Sequence, residues 1–184
     1  MMPSEQVEAA RPGLAGRLFG PGDTPVFAVL DGASSPELVK KLYEHEPEYC
    51  CLYRGELAPD IATVAPYLVR LDGDGEFTEW LLREGWGAHW GIFFLSPAVL
   101  RALRDHFRQF HAVELPDQRT VLFRYYDPRV LRAFVPVCNP VELQQFFGPV
   151  QSFLLEGETP EAGVRFVLAG KTLKTEPFEL KPSS

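Results

Sequence analysis

Between residues 25 and 110, short apolar runs of strand length alternate with segments of helical period, and this alternation limits the fold more than any other feature of the chain. Val26-Phe27-Ala28-Val29-Leu30 has no polar side chain for either side, so it predicts a strand buried on both faces and closed by Asp31-Gly32. Tyr49 to Tyr53, Pro66 to Leu71 and Trp90 to Leu95 predict further strands. Between them Leu38, Val39, Leu42 and Tyr43 share one helical face, with Ser34 or Ser35 as cap and Pro36 in the first turn. Phe77, Trp80, Leu81 and Glu84 share another face, in a helix stopped by Gly85. Ser96-Pro97 opens the clearest helix, in which Leu100, Leu103, Phe107 and Phe110 recur at three and four residues.

The pattern predicts an α/β fold with a mixed sheet flanked by helices and a small β-rich carboxy-terminal segment. After residue 110 comes a hairpin, with strands at Ala112 to Leu115 and Thr120 to Tyr125 around the turn Pro116-Asp117-Gln118-Arg119. Asp127-Pro128 and Asn139-Pro140 each start a helix, one carrying Val130, Leu131 and Phe134, the other Leu143, Phe146 and Phe147. Beyond Gly148-Pro149 the runs around Phe153, Val164 to Leu168 and Phe178 read as strands with Gly-rich turns. The expected organisation is a flexible arm over 1–24, an α/β domain over 25–149 and a strand-rich extension over 150–184.

A length of 184 residues with 46% hydrophobic content suits one domain with a sizeable core. The net charge of -7 disfavours nucleic-acid phosphates and anionic membranes, which leaves proteins or small molecules as partners. From Arg101 to Arg132 seven basic residues stand against four acids, a local +3 that leaves -10 on the rest of the chain. Arg101, Arg104 and Arg108 could form a basic docking face for an acidic partner, or simply solvate a helix. Met1 to Glu8 lacks the basic and apolar regions of a secretory signal, and runs such as Ile92-Phe93-Phe94-Leu95 are far short of the roughly 20 residues that span a bilayer. Three cysteines, Cys50 and Cys51 adjacent and Cys138 remote, offer neither a disulfide framework nor a metal spacing. The expectation is a cytoplasmic protein.

Motifs that would carry chemistry are missing. Gly32-Ala33-Ser34-Ser35-Pro36 lacks the second glycine of a nucleophile elbow. Gly20 and Gly22 precede the first strand, where a dinucleotide loop must follow one. His45, His89, His106 and His111 form no paired metal spacing, so no metal, no cofactor and no catalytic residue is assigned. Asp31 and Asp127 are the carboxylates best placed for catalysis, but strand-ending chemistry explains Asp31 and helix capping explains Asp127. Trp80, Trp86 and Trp90 form an aromatic cluster that suits core packing; Trp86 and Trp90 are also candidate anchors for a partner.

Six segments occur in a fixed order: Phe27 to Ala33, Leu52 to Leu57, Ala65 to Leu71, Trp86 to Ile92, Phe123-Arg124-Tyr125-Tyr126-Asp127-Pro128-Arg129-Val130-Leu131, and Phe146-Phe147-Gly148-Pro149. Together they resemble the adaptor-chaperone family of bacterial type VI secretion, long catalogued as a domain of unknown function. The resemblance implies a cytoplasmic protein without enzymatic activity. Its partners would be a secreted toxin effector and the valine-glycine-repeat spike protein onto which that effector is loaded, with no nucleic acid and no membrane. It implies no catalytic residue; the matched motifs would be fold determinants. The residues alone leave open a small α/β enzyme built around Asp31 and a toxin-neutralising immunity protein.

Overall fold

A computed structural model describes residues 13–180. Residues 13–18 form a first helix, α1. The order then runs β1 (Val26–Asp31), α2 (Leu38–His45), β2 (Tyr49–Cys51), α3 (Pro59–Val64), β3 (Pro66–Leu71), α4 (Glu76–Glu84), β4 (Gly91–Leu95) and α5 (Leu100–Phe107). It continues with β5 (Ala112–Glu114), β6 (Thr120–Leu122), α6 (Pro128–Phe134), a 3-10 turn at Val135–Val137, α7 (Pro140–Phe147), β7 (Ser152–Glu156), β8 (Ala162–Ala169) and β9 (Thr172–Glu179). Seven strands form one sheet in the order β2-β3-β1-β4-β7-β8-β9, while β5 and β6 pair separately. The α/β class is as the pattern indicates; every neighbouring pair in the large sheet is antiparallel. The carboxy-terminal strands continue this sheet, because β7 pairs with β4 from Phe93↔Leu154 to Leu95↔Ser152.

The sheet separates two cores, and the period of two along β1 divides them. Val26, Ala28 and Leu30 point to one side with Leu14 and Leu18 of α1, Leu38 and Leu42 of α2, and Phe77, Trp80 and Leu81 of α4. Phe27 and Val29 point to the other, with Leu103 and Phe107 of α5, Leu131 of α6, and Leu143, Phe146 and Phe147 of α7. Both sides of β1 are therefore dry, which is why its sequence is a continuous apolar run. Each such side chain removed from water contributes about 1.5–3 kcal/mol.

Several local expectations need correction. Leu14 and Leu18 are only 1% exposed, so residues 13–18 are a packed helix and not part of a flexible arm; the same expectation for residues 1–12 lies outside the described residues. Ser34 and Ser35 do not cap α2, whose N-cap is Glu37 without a side-chain bond. Ser34 instead donates its hydroxyl to Asp31 Oδ2 at 2.7 Å. Ser96 does not start α5, which begins at Leu100 after Val99. Its buried hydroxyl donates to the Pro149 carbonyl at 2.7 Å and accepts from the Ala98 N–H, so it ties β4 to the segment entering β7.

Phe123 to Tyr126 is not a strand. The chain turns there, with the Asp127 N–H donating to the Arg124 carbonyl at 3.0 Å, and both Tyr125 and Tyr126 enter the same core. A strand would have sent them to opposite faces. Local capping at the next two helices is as read: Asp127 accepts from the Arg129 N–H, and Asn139 with Glu142 makes a capping box.

Gly91 shows how closely the strands approach. A Cβ there would collide with the Val29 carbonyl oxygen and reach 2.9 Å from a Leu30 methyl. Gly91→Ala is expected to cost about 1–3 kcal/mol through forced displacement of β4 from β1, measured by urea unfolding; an unchanged midpoint would contradict this packing.

Candidate functional site

The end of the sheet where β1 stops gathers most of the charged residues that the motifs contribute. In register with Asp31 are Pro66 at the start of β3 and, one residue back, Gly91 at the start of β4. Asp31 is 2% exposed, and its oxygens are occupied. Oδ1 accepts from the Ala33 N–H at 3.0 Å, while Oδ2 accepts from the Ser34 hydroxyl and from the Arg124 guanidinium. Burial works against the charge on Arg124, but Asp31 outweighs it and raises the guanidinium pKa above its ordinary value. Two motifs 93 residues apart thus meet in one ion pair.

Around this pair lie two further carboxylates. Asp127 caps α6 through the Arg129 N–H and receives the Arg129 side chain at 2.7 and 3.0 Å. Burial lifts its pKa, yet the Arg129 contacts dominate and hold it below the ordinary value. Glu156, at the end of β7 and 2% exposed, accepts from the His89 N–H at 3.1 Å and lies 3.0 Å from His89 Nδ1. Burial pushes its pKa up to about 7. Burial and the nearby Arg129 lower that of His89, whose backbone has φ 60°. Arg132 completes the seal by donating to the backbone carbonyls of Glu156 and Gly157.

Tyr126 stands beside Arg124, and burial, with Tyr53 nearby, raises its pKa. His111 packs edge-on to Tyr53, and burial pushes its pKa down to about 4, so it is neutral at physiological pH. The arrangement holds loops together: both oxygens of Asp31 and of Asp127 accept from donors, while Glu156 Oε2 has no hydrogen-bond partner among the described residues.

The five residues marked as candidate partner contacts do not share one surface role. Arg108 points inward: its guanidinium donates to the carbonyls of Cys51, Leu52 and Tyr53 at 3.0–3.1 Å and fixes the loop after β2. Trp86 is 3% exposed, donates its indole N–H to the Pro160 carbonyl at 2.7 Å and packs on Phe93 and Phe178. Both are therefore built into the fold and are corrected from partner contacts to structural residues. Trp90 is half-buried against Trp80. Arg104 is partly exposed and bonds to neighbouring Asp105, and Arg101 is exposed. The β5–β6 hairpin adds exposed apolar surface at Val113, Val121 and Leu122.

Cys50 and Cys138 are half-buried free thiols whose pKa values burial pushes up to about 11, far from a reactive thiolate. Among the described residues no group of three His, Cys, Asp or Glu side chains could hold a metal ion, and no helix is long and apolar enough to cross a membrane.

These features define a three-layer α/β domain on an antiparallel sheet, with its motif charges gathered at one end. The chain belongs to the family described as Domain of unknown function (DUF4123), which matches residues 26–145. That span runs from β1 into α7 and stops before β7. No curated protein and no solved structure matches the chain significantly.

Arg108→Ala is expected to lose about 2–3 kcal/mol in urea unfolding, because three carbonyls lose a charged donor, while Arg101→Glu should stay within about 0.5 kcal/mol. Equal effects would contradict the inward role of Arg108. Glu156 gives a pH signature. Between about pH 4.5 and 7 the folded chain holds a proton on Glu156 that the unfolded chain has released, so the Glu156 contribution to stability falls as pH rises through that window and levels off above it, while the lowered pKa of His111 contributes an opposite slope below about pH 6.5. Glu156→Gln should remove the Glu156 part of the slope, so that its stability relative to the parent grows as pH rises from 4.5 to 7, and raise stability at pH 8 by up to about 3 kcal/mol. An unaltered slope between pH 4.5 and 7 would show that Glu156 does not carry it.

Proposed function

We propose that this chain is an adaptor chaperone that binds a secreted type VI effector and promotes its loading onto the valine-glycine-repeat spike, and that it acts in the cytoplasm without catalysing a reaction. Membership of the family supports this reading, since the matched residues 26–145 contain five of the six ordered segments that carry the resemblance, and the sixth begins at the next residue, Phe146. The observation that carries it furthest is the state of the motif carboxylates. Asp31 faces three donors, and Asp127 is spent on a cap and an arginine. General acid or base work needs a group within reach of a substrate proton, and neither carboxylate offers an open oxygen for that. A rigid platform that presents other surfaces to a protein is what such bonding favours.

Co-expression with the effector encoded beside it should yield a complex that survives size-exclusion chromatography, and addition of the spike should give a larger species. Separate elution of both proteins would contradict the adaptor reading. Asp31→Asn is expected to lower stability without abolishing the complex at a temperature where the variant remains folded. Loss of a measurable turnover in that variant, with its fold intact, would favour an enzyme instead.

A further inference from the structure

Among the described residues the opposite end of the sheet is open, and two cavities there differ in character. The larger, about 780 Å³, is edged by Asp23, Glu44, Glu46, Glu48, Asp72 and Glu76. Arg70 and His45 are the basic residues among its lining. The smaller, about 490 Å³, lies between α1 with the segment that follows it and the strands β7, β8 and β9. Arg17, Arg165 and Glu176 are its charged residues, so two positive charges stand against one negative in a chain whose net charge is -7.

The chemistry of the smaller cleft is that of a site that takes an anion beside an apolar group. Arg17 is exposed, stacks its guanidinium 4.4 Å from the centre of the Phe178 ring, and donates a long hydrogen bond of 3.5 Å to the Glu179 carbonyl. Arg165 donates to the Ser152 hydroxyl at 3.3 Å, while its buried Nε–H has no hydrogen-bond partner among the described residues. A buried donor left unpaired carries a desolvation cost that an arriving acceptor removes. Leu154 and Phe178 supply apolar wall, and Thr24 and Gln151, bonded to each other at 3.5 Å, supply a polar rim. Glu176, opposite Arg165 in strand register, leaves room for only one more carboxylate before the charges balance.

Position in the chain says what this cleft is for. Of its lining residues, Leu95 alone falls inside residues 26–145; the rest belong to the segment before β1 or to the strands after α7. The residues that the family match covers therefore contribute most of the platform, and residues outside that match line the cleft. We propose that this cleft selects the partner, and that its occupant is an extended acidic segment of the bound effector, with one carboxylate between Arg17 and Arg165 and an adjoining apolar side chain on Phe178. The inference rests on the adaptor reading and names the surface that the reading leaves open.

The test is the affinity of the purified effector encoded beside this chain for three forms of it: the parent, Arg17→Glu/Arg165→Glu, and Arg101→Glu/Arg104→Glu. Thermal melting of each form checks that it is folded, and Arg17→Glu alone, at an exposed position, serves if the double variant melts early. The cleft variant should bind at least tenfold more weakly and lose most of the parent's salt dependence, with the α5 variant within twofold of the parent. Binding by the cleft variant within twofold of the parent, or loss confined to the α5 variant, would overturn the proposal. Tight binding of free glutamate or citrate by the parent, with effector binding untouched in the cleft variant, would make this a small-molecule site and overturn it too. If the parent itself forms no complex, the adaptor reading fails and the cleft assignment fails with it.

Discussion

One buried carboxylate organises this molecule. Asp31 terminates β1, an interior strand of the sheet, and its oxygens hold the turn into α2 on one side and Arg124 on the other. A charge at 2% exposure is tolerable only when its lone pairs are met, so the positions of Ala33, Ser34 and Arg124 are consequences of where β1 ends. Once Arg124 is fixed, Tyr125 and Tyr126 are directed into the core beside Phe107 and the loop at Tyr53. Asp127 then begins α6 at the same end of the sheet.

The same principle recurs around that end. Arg108 gathers three carbonyls from the loop after β2, Arg132 gathers two after β7, and Glu156 holds the backbone of His89 before β4. Loops that would otherwise expose unpaired backbone groups are closed by long side chains from the helical layer. Among the described residues the opposite end has no comparable closure, and the acidic cavity and the Arg17–Arg165 cleft lie toward it. Rigidity at one end and open surface at the other is a division suited to a protein whose work is to hold another.

Much of the fold was legible from local pattern alone. Strands β1, β3 and β4 were readable because both faces of their runs are buried, and the caps at Asp127 and Asn139 because a cap is a contact over two or three residues. The site was far less legible. The Asp31–Arg124 pair spans 93 residues, the Arg108 contacts 55–57, and the Glu156 contact 67, and no periodicity encodes such distances. Tertiary demand also overrode local chemistry: Ser96 precedes Pro97 as a helix cap should, yet its hydroxyl serves Pro149, 53 residues away. The helix at 13–18 was hidden because two leucines among Gly, Ala and Arg make too short a pattern to separate from a loop.

Hydrogen–deuterium exchange on the chain with and without its effector tests the account most directly, because it reports both ends of the sheet at once. The account expects new protection in residues 13–24 and in β8 and β9, with residues 124–131 and the turn after Asp31 slow to exchange in both states. Protection concentrated at the Asp31–Arg124 end, with 13–24 and the carboxy-terminal strands unchanged, would contradict it.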